Sequence, residues 1–252
     1  MGKVYLVGAG PGAADLLTVR ATRLLARADV VFHDALVEQE VLDLAPLATK
    51  IAVGKRCGAH STSQRFINKR LVDAAARQSI VVRLKGGDPM LFGRAQEEID
   101  ALVDAGVDVE VVPGVTAALA AAASLNVSLT RRGVARSVTL VTPRTGEGES
   151  THAWTRAAAG ADTAVLYMGA GQAESIVAAL IDEGVDADRP VVLVESAGRA
   201  GESHCAGRLR DLPQLAASRG TGPVVILLGE IARPVAEQRT THSAASLRRA
   251  LG

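Results

Sequence analysis

The chain has 252 residues, 48% apolar and 22% charged, which suits a soluble globular protein of one large domain or two small ones. Its 28 Lys and Arg against 27 Asp and Glu leave a net charge of +1, and only 2% of residues are aromatic. The basic footprint and the stacking platforms of a nucleic-acid binder are therefore both missing.

No leader-like segment opens the chain, and no apolar run approaches the roughly 20 residues of a membrane helix. Cys57 and Cys205 lack metal-ligand spacing. The expectation is a cytoplasmic protein with reduced thiols, no membrane partner and no metal site. The first apolar run, residues 4–7, reads as a strand. It leads into Gly8-Ala9-Gly10-Pro11-Gly12-Ala13 and then a helical pattern over 15–27. That order fits G-x-G-x-x-[GA], and Asp34 lies near the distance at which a dinucleotide fold presents an acid to ribose. Taken alone, this window admits a dinucleotide-dependent oxidoreductase. Strands follow at 29–32 and 50–53, then a helix over 62–77 with Ser61 and Gln64 at capping-box spacing.

A strand over 80–84 runs straight into Lys85-Gly86-Gly87-Asp88-Pro89. In open α/β sheets the carboxyl end of a strand is where ligands bind. Paired glycines admit close approach, Asp88 offers an acceptor, and Pro89 stiffens the turn. A nicotinamide site leaves this second glycine turn unexplained, and no later motif suits hydride transfer. A helix over 94–105 and a strand over 107–112 complete the first half. Pro113-Gly114 breaks the pattern, so the domain boundary is set there, giving domains 1–113 and 114–232.

The second half reads as a helix over 116–124, strands over 137–142 and 163–167, a helix over 171–183, and strands over 190–195 and 223–228. Residues 142–150 are polar and glycine-bearing, the pattern of a mobile loop, and the Arg-rich tail 233–252 is expected to be poorly ordered. The alternation in the first half predicts a mainly parallel sheet under helices, the whole chain reads as an α/β fold, and no internal repeat is seen.

The ordered set of segments resembles the tetrapyrrole methylase family, and within it the members that act on uroporphyrinogen III. The set comprises Val7 to Gly12, Ala28-Asp29-Val30-Val31 through Asp34-Ala35-Leu36-Val37, Val53-Gly54-Lys55-Arg56, His60-Ser61, Val82 to Pro89 with Phe92-Gly93-Arg94, and Val111 to Ala117. Ser128-Leu129-Thr130, Ser137-Val138, Tyr167-Met168-Gly169 and Val194-Glu195 follow. The resemblance implies two α/β/α domains with a catalytic cleft between them and a homodimer. It also implies S-adenosylmethionine as methyl donor and co-substrate, without a metal. The implied reaction methylates two ring carbons of uroporphyrinogen III, giving precorrin-2 for sirohaem and cobalamin biosynthesis.

Residue by residue, the resemblance puts Asp34 as proton acceptor and Lys55 as proton donor. It places Pro11, Gly86, Gly87, Asp88, Leu91, Thr116, Ala117, Met168 and Ala197 at the donor. The acceptor carries eight carboxylates, which calls for arginines that bind carboxylates bidentately. Arg131 and Arg132 rank first, then Arg56, with His60 near the same segment; Arg94 and Arg136 are further candidates. Other readings stay open: Asp34 as a helix cap, Lys55 as a partner of substrate carboxylates, and Met168 as a strand-end packing residue. The chain departs from the family at Arg131-Arg132, Thr142-Pro143-Arg144, Met90 and Ala95-Gln96. These changes bear on the acceptor more than on the donor, so a later precorrin is the alternative acceptor. A donor-binding sensor without turnover is a further alternative.

Overall fold

The structure, a computed structural model, describes residues 1–54, 64–144 and 153–237. The chain divides into two units, Met1–Ala117 and the part from Ala118 onward.

The first unit is built on five parallel strands: β1 (Lys3–Gly8), β2 (Val30–His33), β3 (Thr49–Ala52), β4 (Ile80–Lys85) and β5 (Val109–Val112). Their order is β3-β2-β4-β1-β5. The connecting helices are α1 (Val19–Leu25), α2 (Gln39–Asp43), α3 (Gln64–Ala75) and α4 (Ala95–Asp104). Crossovers in a parallel sheet are right-handed, so the direction of travel decides the face. The connections that run toward β3 place α1 and α2 on one face, where Ala21, Leu25 and Val41 pack with Val7, Val31, Val82 and Leu84. Those that run back place α3 and α4 on the other, where Ile67, Leu71 and Leu102 pack with Val4, Leu6 and Val81. Burial on both faces explains the near-continuous apolar strands. The helical pattern over 15–27 resolves into a 3-10 turn at Ala14–Leu16 and then α1, whose N-cap Thr18 accepts from Ala21 N–H through Oγ1 at 3.2 Å.

The second unit has a mixed sheet, unlike the parallel sheet of the first. It contains β6 (Val138–Val141), β7 (Thr163–Tyr167), β8 (Pro190–Glu195), β9 (Ser203–Arg208) and β10 (Val224–Gly229), in the order β6-β7-β10-β8-β9. Only β6 and β7 run parallel; β10 opposes β7 and β8, and β8 opposes β9. Helices α5 (Ala117–Ser124), α6 (Ala153–Gly160), α7 (Ala173–Asp182) and α8 (Leu212–Ala217) go with it, around a core of Leu166, Ile176, Leu180, Leu193 and Ile226. Sequence reading passes over β9, α2, α6 and α8, which are short or weakly patterned.

The division falls after Ala117 and not after Pro113. Gly114 belongs to the first unit because its N–H donates to Asp88 Oδ2 at 2.9 Å and its backbone packs against Gly8. Of the tail expected over 233–252, residues 233–237 are helical, and Arg233 pairs with Glu230. Residues 238–252 lie outside the described residues, as do 145–150 of the polar loop.

Candidate functional site

The strands β1 and β4 are neighbours whose chains leave toward opposite edges of the sheet, so their carboxyl ends form its topological switch point. Both glycine turns lie there. Ala9 N–H donates to Lys85 O at 2.7 Å, and Gly10 and Gly87 form a two-way bridge, with N–H···O distances of 3.2 and 2.7 Å. Gly10 and Gly87 both have φ +68°, a region that side chains disfavour. A Cβ on Gly8 would stand 2.6 Å from the Gly114 backbone and 2.7 Å from Gly87 O. The loops after β1, β4 and β5 are therefore locked together backbone against backbone.

Asp88 is the clasp of this arrangement. Its Oδ1 accepts from Met90 N–H at 2.8 Å and its Oδ2 from Gly114 N–H at 2.9 Å. The carboxylate expected to meet the donor directly is thus engaged with the chain's own backbone. Leu91 N–H closes the same turn onto Asp88 O at 3.3 Å. The glycines beside it are open: a Cβ on Gly86 would meet only Leu36 Cβ at 3.8 Å, and one on Gly87 only Thr116 Cα at 3.9 Å. Pro11, buried, follows the Gly10 bridge, and Thr116 and Ala117 are half-buried. Downstream, Phe92 and Arg94 adopt φ of 52° and 53°. Arg94 forms an exposed bidentate pair with Glu97 at 2.6 and 2.8 Å. Hydrogen bonding to Glu97 raises the Arg94 pKa, and the same bond from Arg94 lowers that of Glu97.

Asp34 follows β2 on the same carboxyl edge, its N–H donating to Leu84 O at 3.2 Å. Its side chain, 32% exposed, accepts from Arg83 Nη2 at 2.5 Å. Arg83 and Lys85 project from β4 toward α4, where Glu98 is wholly buried. Arg83 Nε donates to Glu98 Oε1 at 3.1 Å, and Lys85 Nζ reaches both Glu98 oxygens at 3.1 Å. Burial opposes the charge on Arg83, but Asp34 and Glu98 outweigh it and raise its pKa. Burial, reinforced by the charge of Arg83, pushes the Lys85 ammonium below its ordinary value. Sequence reading missed Arg83, Lys85 and Glu98 as a group. The available signal was two cations spaced i, i+2 in a strand apolar on both faces, since buried charges require partners.

In the second unit, Met168 caps β7 with φ 57° and is 47% exposed, while Ser196, with φ 56°, ends β8 ahead of buried Ala197. Non-glycine residues held in this region cluster at ligand-handling loops. Tyr167 Oη accepts from Ala118 N–H at 3.1 Å and so tethers the start of α5 to the end of β7. Arg131 and Arg132 are exposed in a turn closed by two 2.8 Å bonds between Arg131 and Ala135. Lys55, Arg56 and His60 lie outside the described residues. Among the described residues, no group of three His, Cys, Asp or Glu could hold a metal, and no helix is long and apolar enough to cross a membrane.

The dinucleotide reading fails on geometry. A pyrophosphate site needs the glycine turn to open directly into a helix. Here α1 starts only at Val19, after a separate 3-10 turn, and the space beside Gly8 is filled by backbone. The fold and site define an α/β protein whose first sheet carries paired, mutually bridged glycine loops at its carboxyl edge. Residues 3–213 match the family model of the Tetrapyrrole (Corrin/Porphyrin) Methylases. The chain belongs to that family.

Among its relatives, the Uroporphyrinogen-III C-methyltransferase of Pseudomonas aeruginosa is 42% identical, over 96% of this chain and 99% of that protein. The solved structure of Uroporphyrin-III C-methyl transferase from Thermus thermophilus complexed with S-adenyl homocysteine is 40% identical, with a TM-score of 0.81 covering 92% of this chain and 99% of that one. The Siroheme synthase of Pseudomonas putida is 44% identical over 91% of this chain but 50% of its own length, so the chain spans about half of that relative.

Proposed function

We propose that the protein transfers methyl groups from S-adenosylmethionine to two ring carbons of uroporphyrinogen III, giving precorrin-2 for sirohaem and cobalamin synthesis, as a homodimer in the cytoplasm. The observation that supports this most is the 42% identity, nearly end to end, to a uroporphyrinogen-III C-methyltransferase.

The residues present suit the donor. The exposed Gly86 and the open space beside Gly87 offer bare backbone for close approach, and the Asp88 clasp holds that loop in shape. Pro11, Leu91, Thr116 and Ala117 flank it, and Met168, a soft apolar side chain, and Ala197 are assigned to the donor by the family resemblance. Bound S-adenosylmethionine supplies a methyl carbon already activated by its sulfonium. The chain's task is alignment, which contributes several kcal/mol to lowering the barrier. As a ring carbon of the acceptor takes the methyl group, the macrocycle gains positive charge and must lose a proton. Asp34, on the ligand-binding edge and partly exposed, receives it while Arg83 orients its carboxylate. Lys55, the proton donor that the resemblance implies, delivers a proton to the macrocycle only as another leaves it, so each methyl transfer still releases one proton net. Arg131, Arg132, Arg56 and His60 engage the acceptor's carboxylates.

The test is an anaerobic incubation with S-adenosylmethionine and uroporphyrinogen III, read by mass spectrometry. A mass gain of two methyl groups is expected. No gain, with donor binding intact by calorimetry, overturns the acceptor. A later precorrin is then the next acceptor to try, because the Arg131-Arg132 and Thr142-Pro143-Arg144 departures fall on the acceptor side.

A further inference from the structure

We infer that Glu98, which makes no direct contact with Asp34, is a positioning residue for it: through Arg83 it sets the direction of the Asp34 carboxylate at the ligand-binding edge. The inference rests on the reading of Asp34 as proton acceptor and extends it inward by two residues. The geometry is a chain of fixed points. Glu98 sits on α4, wholly buried, and its carboxylate is held from three sides: Lys85 Nζ bonds both oxygens at 3.1 Å, and Arg83 Nε and Gln64 Nε2 each bond Oε1 at 3.1 Å. Asn68 steadies Gln64 in turn, with Gln64 Nε2 to Asn68 Oδ1 at 3.0 Å and Asn68 Nδ2 to Glu97 O at 2.9 Å.

Arg83 is then a planar fork with its directions assigned. Nε faces Glu98, Nη1 donates to Leu84 O at 3.1 Å, and only Nη2 points outward, to Asp34. Two anchors fix the plane of a guanidinium, so the third bond has one direction. Asp34 is the one member of the set with substantial solvent contact, at 32% exposed against 0–4% for the other three charged side chains. The network therefore has a buried root and an exposed tip. A buried ion network adds little stability over apolar packing of the same volume, while it does specify geometry. Here the specified geometry ends at a carboxylate on the carboxyl edge of the sheet.

The experiment is a double-mutant cycle on the full chain: wild type, Glu98→Gln, Asp34→Asn and the double variant, with turnover measured under enzyme excess and donor affinity by calorimetry. Misplacing a reacting group by about 1 Å costs on the order of a hundredfold in rate, so Glu98→Gln alone should lower turnover by about that factor with donor affinity unchanged. In the Asp34→Asn background it should lower turnover no further, because residues acting as one unit are not additive. If Glu98→Gln does not fold, Arg83→Lys serves in its place, since a lysine keeps the charge but cannot bridge Glu98 and Asp34, and the same pattern is expected. A loss that adds in full to that of Asp34→Asn, or wild-type turnover in the Glu98 or Arg83 variant, overturns the inference alone. A wild type that leaves uroporphyrinogen III unmethylated, or an Asp34→Asn variant of wild-type rate, overturns the underlying reading and the inference with it.

Discussion

Strands β4 and β10 hold equivalent central places in their sheets, β4 between β2 and β1 and β10 between β7 and β8, yet they are filled differently. β4 ends in Arg83 and Lys85, each 3% exposed, whereas β10 is Val-Val-Ile-Leu-Leu-Gly without an ionisable group. A central strand has no structural need for charge, and the cost of desolvating it must be offset by partners. The first unit accepts that cost beneath the edge that carries Asp34. In the second unit the interiors of β7, β8 and β10 are apolar, the one buried carboxylate among the described residues of this sheet, Glu195, ends β8 and accepts from Gly220 and Gly222 N–H, and Met168 and Ser196 stand at the strand ends.

The largest effect that would sharpen this contrast is kinetic. Asp34→Asn should reduce turnover by about 10²–10⁴-fold, the usual contribution of a positioned proton acceptor, with donor affinity retained. Initial rates and calorimetry on the same preparation check it, and an unchanged rate would leave the charged edge without a catalytic member. Next comes stability. Glu98→Ala leaves Arg83 and Lys85 buried without their shared carboxylate and should cost about 3–5 kcal/mol. Ile226→Val in the apolar strand should cost about 0.5–1.5 kcal/mol. Urea denaturation of both variants reads the difference, and equal costs would break the comparison.

The same contrast explains what the sequence made legible. Runs such as Ile80-Val81-Val82 and the glycine turns after β1 and β4 are local signals, and they mark both the strands and the edge that matters. Strand direction is not local: an apolar run buried on both faces looks alike in a parallel or an antiparallel neighbour, which is why the strand over 223–228 was legible but its antiparallel direction was not. β9, Ser-His-Cys-Ala-Gly-Arg, has only Cys205 and Ala206 buried and is held mainly by its ladder with β8. The Arg83–Glu98 pairing joins a strand to the next helix, and the Asp88–Gly114 bond joins two loops across an intervening helix and strand. Each cationic or acidic residue was visible, but its partner was not: Asp88 read as a donor contact, and the two backbone N–H groups that its oxygens also accept from were not legible.

The two roles open to Asp88, backbone clasp and direct donor contact, separate by mutation. Asp88→Ala removes the acceptor of two backbone N–H groups and should cost about 1–3 kcal/mol in stability. Donor affinity should fall alongside, because the loop it clasps is the one that carries Gly86 and Gly87. Asp88→Asn keeps one acceptor oxygen and should fall between. A loss of donor affinity at unchanged stability would instead make Asp88 a direct donor contact.

The smallest effect concerns the opposite edge, where acids play a purely architectural part in both units. In the first, Asp29 Oδ2 accepts from Ser79 and Ile80 N–H at 2.9 and 2.8 Å, tying the start of β2 to the start of β4. In the second, Asp162 Oδ2 accepts from Arg136 N–H, Ser137 N–H and Ser137 Oγ at 2.8–2.9 Å, tying β7 to β6. The Arg136 N–H, then the two Ser137 groups, lower the Asp162 pKa below its ordinary value. The folded carboxyl thus holds its proton less tightly than the unfolded one. In acid the unfolded chain binds more protons, so this contribution is complete above the unfolded value of about 3.9 and is lost as pH falls through the lower folded value. Asp162→Asn should therefore melt below the wild type at neutral pH, with the gap closing as the medium is acidified, while turnover stays at the wild-type rate. A gap that persists at the acid end would assign the loss to shape and not to charge. A fall in turnover would show that the amino edge also serves the chemistry, against the division of labour drawn from β4 and β10.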